Sequence, residues 1–272
     1  MKRLSTFNTT ALTLGFAFLY LPMILLVIYS FNASKLVTVW AGFSTKWYGE
    51  LLRDEAFLDA AWVTIKVAVM SSTLATVLGT MAAYVLVNSG RFLGRTLFSG
   101  MIYAPLVMPE VITGLSLLLL FIGIGLDRGV LTIVLAHTTF AMCYVSVVVS
   151  SRLVSFDRSL EEAALDLGCT RLEAFRLVTL PIIAPAVISG WLLAFTLSLD
   201  DLVIASFVSG PSSTTLPIKI WSAVRLGVSP EINALSTMMI GVVTIGVISA
   251  SLVSKRNSVR AQKDAQAAER AA

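Results

Sequence analysis

Three acidic residues lie within apolar stretches of this 272-residue chain: Glu110, Asp200 and Asp201. An ionised side chain at the centre of a bilayer costs on the order of 2.5–3.5 kcal/mol on insertion scales, so such residues usually face a bundle interior or a cavity. Carboxylates in that position suit the passage of a cationic solute. The three acids are therefore candidates for a substrate path, with pairing of Glu110 to Lys66 or to His137 as the structural alternative.

Local sequence constrains how these acids can be presented. Pro105 and Pro109 precede Glu110, and each removes a backbone donor and frees a carbonyl one turn earlier, which predicts a break that can line a cavity. Asp200 and Asp201 are successive, and successive residues are about 100° apart around a helix. Only one of the two aspartates is therefore expected to face the same path.

An enzyme is the alternative class for acids inside a membrane. An aspartyl dyad needs two carboxylates brought face to face from different elements. Adjacent Asp200 and Asp201 do not have that geometry. A dyad of Glu110 with either aspartate remains an alternative. We expect the single histidine, His137, to be a hydrogen-bonded structural residue. The two cysteines are too few and too differently placed for a metal cluster. We therefore expect no catalytic site and no metal site.

The elements that must position these residues are membrane spans. The chain is 57% hydrophobic and 13% charged, against about 25% charged in an ordinary soluble domain. A helix needs about 20 apolar residues to cross the hydrocarbon core. The sequence predicts an all-α integral membrane protein with one transmembrane domain, 1–272, and six transmembrane helices. The predicted spans are 11–31, 60–87, 97–126, 130–151, 182–208 and 232–253.

The distribution of Lys and Arg predicts the orientation. With six spans, 13 of these residues fall on the termini and the even-numbered connections, and 6 fall on the opposite side. By the positive-inside rule both termini are predicted to be cytoplasmic, with residues 254–272 as a cytoplasmic tail. The net charge of +4 thus reflects Lys and Arg beside the membrane, and the expected partner is the lipid bilayer. Binding to nucleic acid is not expected.

The longest cytoplasmic connection, 152–181, has the pattern of helix, glycine turn, helix. Ser159 with Glu162 and Thr170 with Glu173 have capping-box spacing, which predicts two helix starts. Gly168 between them predicts a left-handed helix end. The first helix has an apolar stripe at helical spacing: Leu160, Ala163, Ala164 and Leu167. The pattern predicts a rigid helix-turn-helix elbow between the fourth and fifth spans; a helix lying on lipid is the alternative.

The elbow also carries a family signature. Glu162-Ala163-Ala164 is followed, after three intervening residues, by Gly168 and, after nine more intervening residues, by Val178-Thr179-Leu180-Pro181. Pro181 is expected to mark the turn into the fifth span. This spacing resembles the cytoplasmic EAA loop of importer permeases of the ATP-binding-cassette superfamily, with Val178 where isoleucine is usual. The resemblance implies that the elbow docks on a separate ATPase subunit. The residues implied in this coupling are Glu162, Ala163, Ala164, Leu167, Gly168, Leu180 and Pro181.

No nucleotide site is expected on this chain. A phosphate-binding loop requires Gly-Lys followed by Ser or Thr, and Gly-Lys does not occur in the sequence. ATP is therefore expected to bind to the partner ATPase, and no cofactor is expected here.

Longer runs narrow the resemblance to polyamine importers. They are Tyr29-Ser30-Phe31-Asn32, Trp47-Tyr48, 105–110, 198–211 and 227–235. These runs are similar to the second permease subunit of putrescine/spermidine transporters of the inner membrane. The resemblance implies a second, unlike permease subunit, two ATPase copies, an external polyamine-binding protein and transport of putrescine or spermidine. A permease for another small solute is the alternative. A secondary transporter is less favoured, because no second copy of the prolines or of the elbow is present.

Overall fold

The computed structural model describes residues 5–35, 39–227, 230–241 and 244. The chain divides into two compact units, 56–221 and the combination of 1–55 with 222–272. Regular structure in the described residues is helical, apart from an isolated bridge between Asn32 and Phe43. The prediction of a single membrane domain stays a prediction.

The helices are introduced here in chain order. The smaller unit contains α1 (Thr6–Tyr29), α2 (Lys46–Leu51) and a helix over residues 230–241. The larger unit is built from α3 (Glu55–Asn88), α4 (Arg95–Val107), α5 (Glu110–Gly123), α6 (Val130–Val154), α7 (Ser159–Asp166), α8 (Arg171–Ala174), a π-helical turn (Phe175–Thr179), α9 (Leu180–Asp200) and α10 (Val203–Val208). α11 (Leu216–Leu226) follows at the boundary between the units.

Four helical runs are long and apolar enough to cross a membrane, or five if one bent pair is a single span, counting only the described residues. They correspond to the predicted first, second, fourth and fifth spans. Half of the predicted sixth span, 232–253, lies outside the described residues. The chain is thus a multi-pass membrane protein, and the number six stays a prediction.

The third predicted span, 97–126, is interrupted, as the prolines before Glu110 predict. α4 and α5 meet at a bend of 118°. Met108 and Pro109 between them are extended, with ψ angles of 136° and 135°. Pro109 has no N–H to continue the helical bonding, so the break falls where the prolines predict one. Glu110 consequently begins a helix instead of lying in the middle of one.

The fifth predicted span, 182–208, is also interrupted. α9 ends at Asp200, and Asp201 is extended with ψ 120° before α10 begins at Val203. The two aspartates therefore do not share a helix, and their predicted 100° separation does not apply.

α6 lies at the centre of the larger unit. It contributes to two buried apolar clusters, one with α3, α5 and α10 and the other with α3 and α9. Small residues allow the close approach: a Cβ on Gly79 of α3 would lie 2.7 Å from the Met142 carbonyl oxygen of α6. Close contact through small residues is typical of membrane helices, because lipid supplies no hydrophobic force between them.

In the smaller unit, α1 has no buried residue. The loop that follows α1 is ordered by Asn32, whose buried side chain accepts the N–H groups of Ser34 and Ala41 and donates to the Val39 carbonyl. The indole N–H of Trp47 donates to the Asn32 carbonyl at 2.7 Å. Asn32 therefore links the end of α1 to α2.

Candidate functional site

The elbow begins with α7, which ends in a Schellman turn. Gly168 has φ +91°, the left-handed conformation that its sequence position predicts. The N–H of Cys169 donates to the Ala164 carbonyl at 3.1 Å, and that of Gly168 donates to Leu165 at 2.9 Å. These two bonds satisfy carbonyls that the helix end leaves free. The direction of the chain after α7 is thereby fixed.

The second capping box is present. Glu173 donates its backbone N–H to Thr170 Oγ1 at 3.3 Å, and its carboxylate accepts the backbone N–H of Thr170 at 2.8 Å. Because these bonds favour the charged carboxylate, the pKa of Glu173 is held below its ordinary value. α8 is therefore capped in both directions at its start.

The first predicted capping box, Ser159 with Glu162, is wrong. Arg158 occupies the cap position, and the N–H of Ser159 donates to Asp157 Oδ1 at 3.0 Å. This bond lowers the pKa of Asp157. A local Asp turn thus replaces the box, since a carboxylate competes well for a free N–H at a helix start.

Pro181 does not mark a turn. A π-helical turn, Phe175–Thr179, precedes it, and the N–H of Leu180 donates to the Phe175 carbonyl five residues back. The whole segment Arg171–Asp200 is one long helical run. The wider turn accommodates a residue that cannot donate and whose ring crowds the preceding turn.

The apolar stripe predicted for α7 is largely uncovered. Ala164 is the buried residue of α7, whereas Leu160 and Leu167 are 47% and 86% exposed. Leu172, at the start of α8, is 66% exposed. We call Leu160, Leu167 and Leu172 the elbow leucines. Exposed leucines on a short connection outside the predicted spans are typical of an interaction surface.

Glu161, which the sequence pattern does not single out, connects the elbow to the rest of the larger unit. Its Oε1 accepts the hydroxyl of Tyr84 in α3 at 2.8 Å, and its Oε2 accepts the hydroxyl of Thr179 at 3.1 Å. The spacing of residues along α7 indicates that Glu161 faces the interior of the unit. Glu161 lies three residues before buried Ala164 and shares its face, whereas Glu162 is exposed.

The intramembrane acids differ in their surroundings. The side chain of Asp201 is 8% exposed and lies 3.1 Å from Nε2 of His137. Its carboxylate also accepts the N–H groups of Ile204 and Ala205 at the start of α10. Glu110 and Asp200, in contrast, are both exposed. Of the three acids, Asp201 is thus buried and hydrogen-bonded, whereas Glu110 and Asp200 are accessible.

His137 is a hydrogen-bonded buried residue, as expected. Its Nδ1 lies 2.7 Å from Ser198 Oγ, which in turn accepts the hydroxyl of Ser71 in α3. A carboxylate only accepts hydrogen bonds, so Nε2 of His137 is the donor to Asp201. This order of groups is that of a hydrolase triad. However, Ser198 is only 5% exposed and its oxygen is already engaged.

Neither predicted partner of Glu110 is bonded to it. His137 is used by Asp201, and no ion pair within the described residues joins Glu110 to Lys66, which is exposed. One turn after Glu110, a Cβ on Gly114 would lie 3.3 Å from the Ile204 Cα of α10. Four residues of helix span about 6 Å. α5 and α10 therefore pack together within about one turn of the break before α5 and of the break after Asp200.

Curated relatives match over almost the whole chain. This chain is 59% identical to the putrescine transport system permease protein PotI of Escherichia coli (strain K12), over 98% of its own length and 97% of the relative's. It is 42% identical, over 90% of its length and 92% of the relative's, to the spermidine/putrescine transport system permease protein PotC of the same strain.

Solved structures share the fold at low identity. The crystal structure of a bacterial transporter for import of the acidic polysaccharide alginate matches 92% of this chain and 99% of its own, with a TM-score of 0.72 and 18% identity. The inward-facing MetNI methionine transporter matches 77% of this chain, with a TM-score of 0.59 and 16% identity. These similarities concern the fold alone.

A family match covers residues 75–261, which include the elbow and all three candidate acids. Proteins of this family are transport components and not enzymes, so the enzymatic alternative is excluded. The chain belongs to the family of binding-protein-dependent transport system inner membrane components.

Proposed function

We propose that this chain is a permease subunit of an ATP-driven polyamine importer, and that its principal substrate is putrescine. The observation that carries the substrate is the 59% identity to a putrescine permease over 98% of the chain. The lower identity of 42% to a spermidine/putrescine permease favours putrescine over spermidine.

The path for a dicationic solute is proposed to pass the two neighbouring helix breaks. Glu110 begins α5 and Asp200 ends α9, and both are exposed. An ammonium group leaving water needs charged or carbonyl partners, and helix breaks supply free carbonyls beside these carboxylates. Asp201 is proposed to support the path indirectly, by holding the break from which Asp200 projects.

The elbow is proposed to be the helix-turn-helix coupling loop to the ATPase. The elbow leucines are uncovered, and Gly168 fixes the angle between α7 and α8. Glu162, Ala163 and the elbow leucines would form the docking face, while Leu180 and Pro181 carry the motion into α9. ATP would bind to the partner, and this chain needs no cofactor.

The complete importer is proposed to contain a second, unlike permease, two ATPase copies and an external polyamine-binding protein. Both termini, including residues 254–272, are proposed to be cytoplasmic, supported by the 13 to 6 excess of Lys and Arg on that side. A reporter enzyme that works only outside the cell, fused after Ala272, should be inactive. Activity of that fusion would overturn the orientation and the placement of the elbow.

The direct test is reconstitution of the purified complex in proteoliposomes with its binding protein. Putrescine should stimulate ATP hydrolysis and enter the vesicles, spermidine should do so less, and an amino acid should do neither. Stimulation by the amino acid alone would assign another solute. Uptake that follows an ion gradient without ATP would indicate a secondary transporter.

A further inference from the structure

The carboxylate of Glu161 joins three segments that are distant in sequence. It lies in α7 and accepts one hydroxyl from α3 (Tyr84, 2.8 Å) and one from the π-helical turn (Thr179, 3.1 Å). Hydrogen bonds to an ionised acceptor are roughly twice as strong as those between neutral groups. Docking on an ATPase does not explain these contacts, because they face the interior of the unit.

Two further contacts hold the same end of α3. The guanidinium of Arg158 donates to the Val87 carbonyl at 2.8 Å. That carbonyl lies in the last turn of α3, where a cation is favoured by the helix dipole. The ring of Tyr84 also meets Phe175 of the π-helical turn edge-on, with centroids 4.8 Å apart. The end of α3 is therefore attached to both sides of the Gly168 turn.

We propose that Glu161 is a positioning residue that makes α7, the end of α3 and the π-helical turn move as one body. This inference rests on the proposed docking of the elbow on an ATPase. Without Glu161, α7 keeps the contact of Arg158 with α3 but loses its hydrogen bonds to Tyr84 and Thr179. With it, displacement passes directly into α3 as well as into α9.

The test uses the complete reconstituted importer, with putrescine transported per ATP hydrolysed as the readout. The variants are Tyr84→Phe, Glu161→Gln and Thr179→Val. The control is Asp166→Asn, an exposed acid on the same helix. Each of the three should assemble and hydrolyse ATP as the wild type does, while putrescine per ATP falls about fivefold, the effect of losing one net hydrogen bond. Asp166→Asn should match the wild type.

A second readout separates a shared bond from general damage. The double variant Tyr84→Phe with Glu161→Gln should be no worse than the worse single variant. Wild-type coupling in all three single variants would overturn the proposal, as would lower abundance with an unchanged ratio of putrescine to ATP. Absence of ATP-dependent putrescine uptake in the wild-type complex would instead overturn the proposed function itself.

Discussion

His137 and Asp201 form a buried pair at 3.1 Å that joins α6 to the break between α9 and α10. The same carboxylate accepts two N–H groups at the start of α10. A buried carboxylate is tolerated only when such donors surround it. The pair therefore explains why the chain can leave helical geometry at Asp201 inside the membrane, where free polar groups are costly.

Replacement of His137 should destabilise the protein. His137→Ala removes the side-chain donor of the buried Asp201 carboxylate, and loss of a hydrogen bond to a charged group typically costs about 1.5–3 kcal/mol. The midpoint temperature of thermal unfolding in detergent should fall, and so should the amount of protein in the membrane. The matched control is Asp200→Asn, an exposed acid next in the chain, which should change stability by less than about 0.5 kcal/mol. Equal stability of the two variants would contradict the structural role of the pair.

The sequence predicts the helices better than it predicts their interruptions. Apolar length identifies the spans, and Pro105 and Pro109 indicate the break before Glu110. Neither shows that α4 and α5 bend by 118°, because the angle depends on packing of α5 against α10. The interruption at Asp201 has no proline and depends on His137, 64 residues away. Local pattern cannot reveal a partner at that distance.

The same limit applies to the elbow. Gly168 and the Thr170 cap follow from local sequence, because each depends on residues within one turn. Local sequence does not reveal the role of Glu161, because its partners are Tyr84, 77 residues away, and Thr179, 18 residues away. The family signature includes its exposed neighbour Glu162 but not Glu161.

A side chain at Gly79 should disturb the contact between α3 and α6. The added Cβ of Gly79→Ala would lie 2.7 Å from the Met142 carbonyl oxygen and 2.8 Å from Val145 Cβ. Overpacking of this kind typically costs about 1–3 kcal/mol. Gly100→Ala in α4 is the control, because nothing lies within 4 Å of its Cβ position. Thermal unfolding in detergent should distinguish them, and equal midpoints would show that the helices separate easily.

Gly168→Asp should uncouple the elbow while the protein still inserts. At φ +91° a residue with a Cβ is strained, and the angle between α7 and α8 would change. We expect ATPase subunits to copurify poorly or to hydrolyse ATP without transport. Glu162→Ala should be milder, because it leaves the backbone angle intact. Normal transport by Gly168→Asp would show that the elbow is not the coupling element.

The cap at Thr170 should persist in mild acid. The backbone N–H and the hydroxyl of Thr170 donate to Glu173 and hold the pKa of that carboxyl below its ordinary value. A depressed pKa means that the stabilisation is present above the ordinary pKa of 4.5 and is lost only as the pH falls through the lower folded value. Amide exchange in 170–174, corrected for intrinsic rates, should be equally protected at pH 7 and pH 5. Glu173→Gln should reduce that protection at both values.

Glu110→Gln should reduce putrescine uptake without reducing the amount of protein. Glu110 is exposed at the first turn of α5, and the described residues include no ion pair between it and Lys66. Neutralising it therefore leaves no buried charge behind, so abundance and complex assembly should equal those of the wild type. A neutral amide is a weaker partner for an ammonium group than a carboxylate. Uptake in whole cells, normalised to membrane abundance, measures the difference.

Two comparisons decide between a path and a structural role for Glu110. Glu110→Asp keeps the charge and should restore much of the uptake, whereas Asp200→Asn should lower uptake as Glu110→Gln does, because both acids border the neighbouring breaks. A fall in abundance that Lys66→Met also produces would indicate a structural partnership instead. Wild-type uptake by Glu110→Gln at equal protein level would remove Glu110 from the path and leave selectivity to the external binding protein.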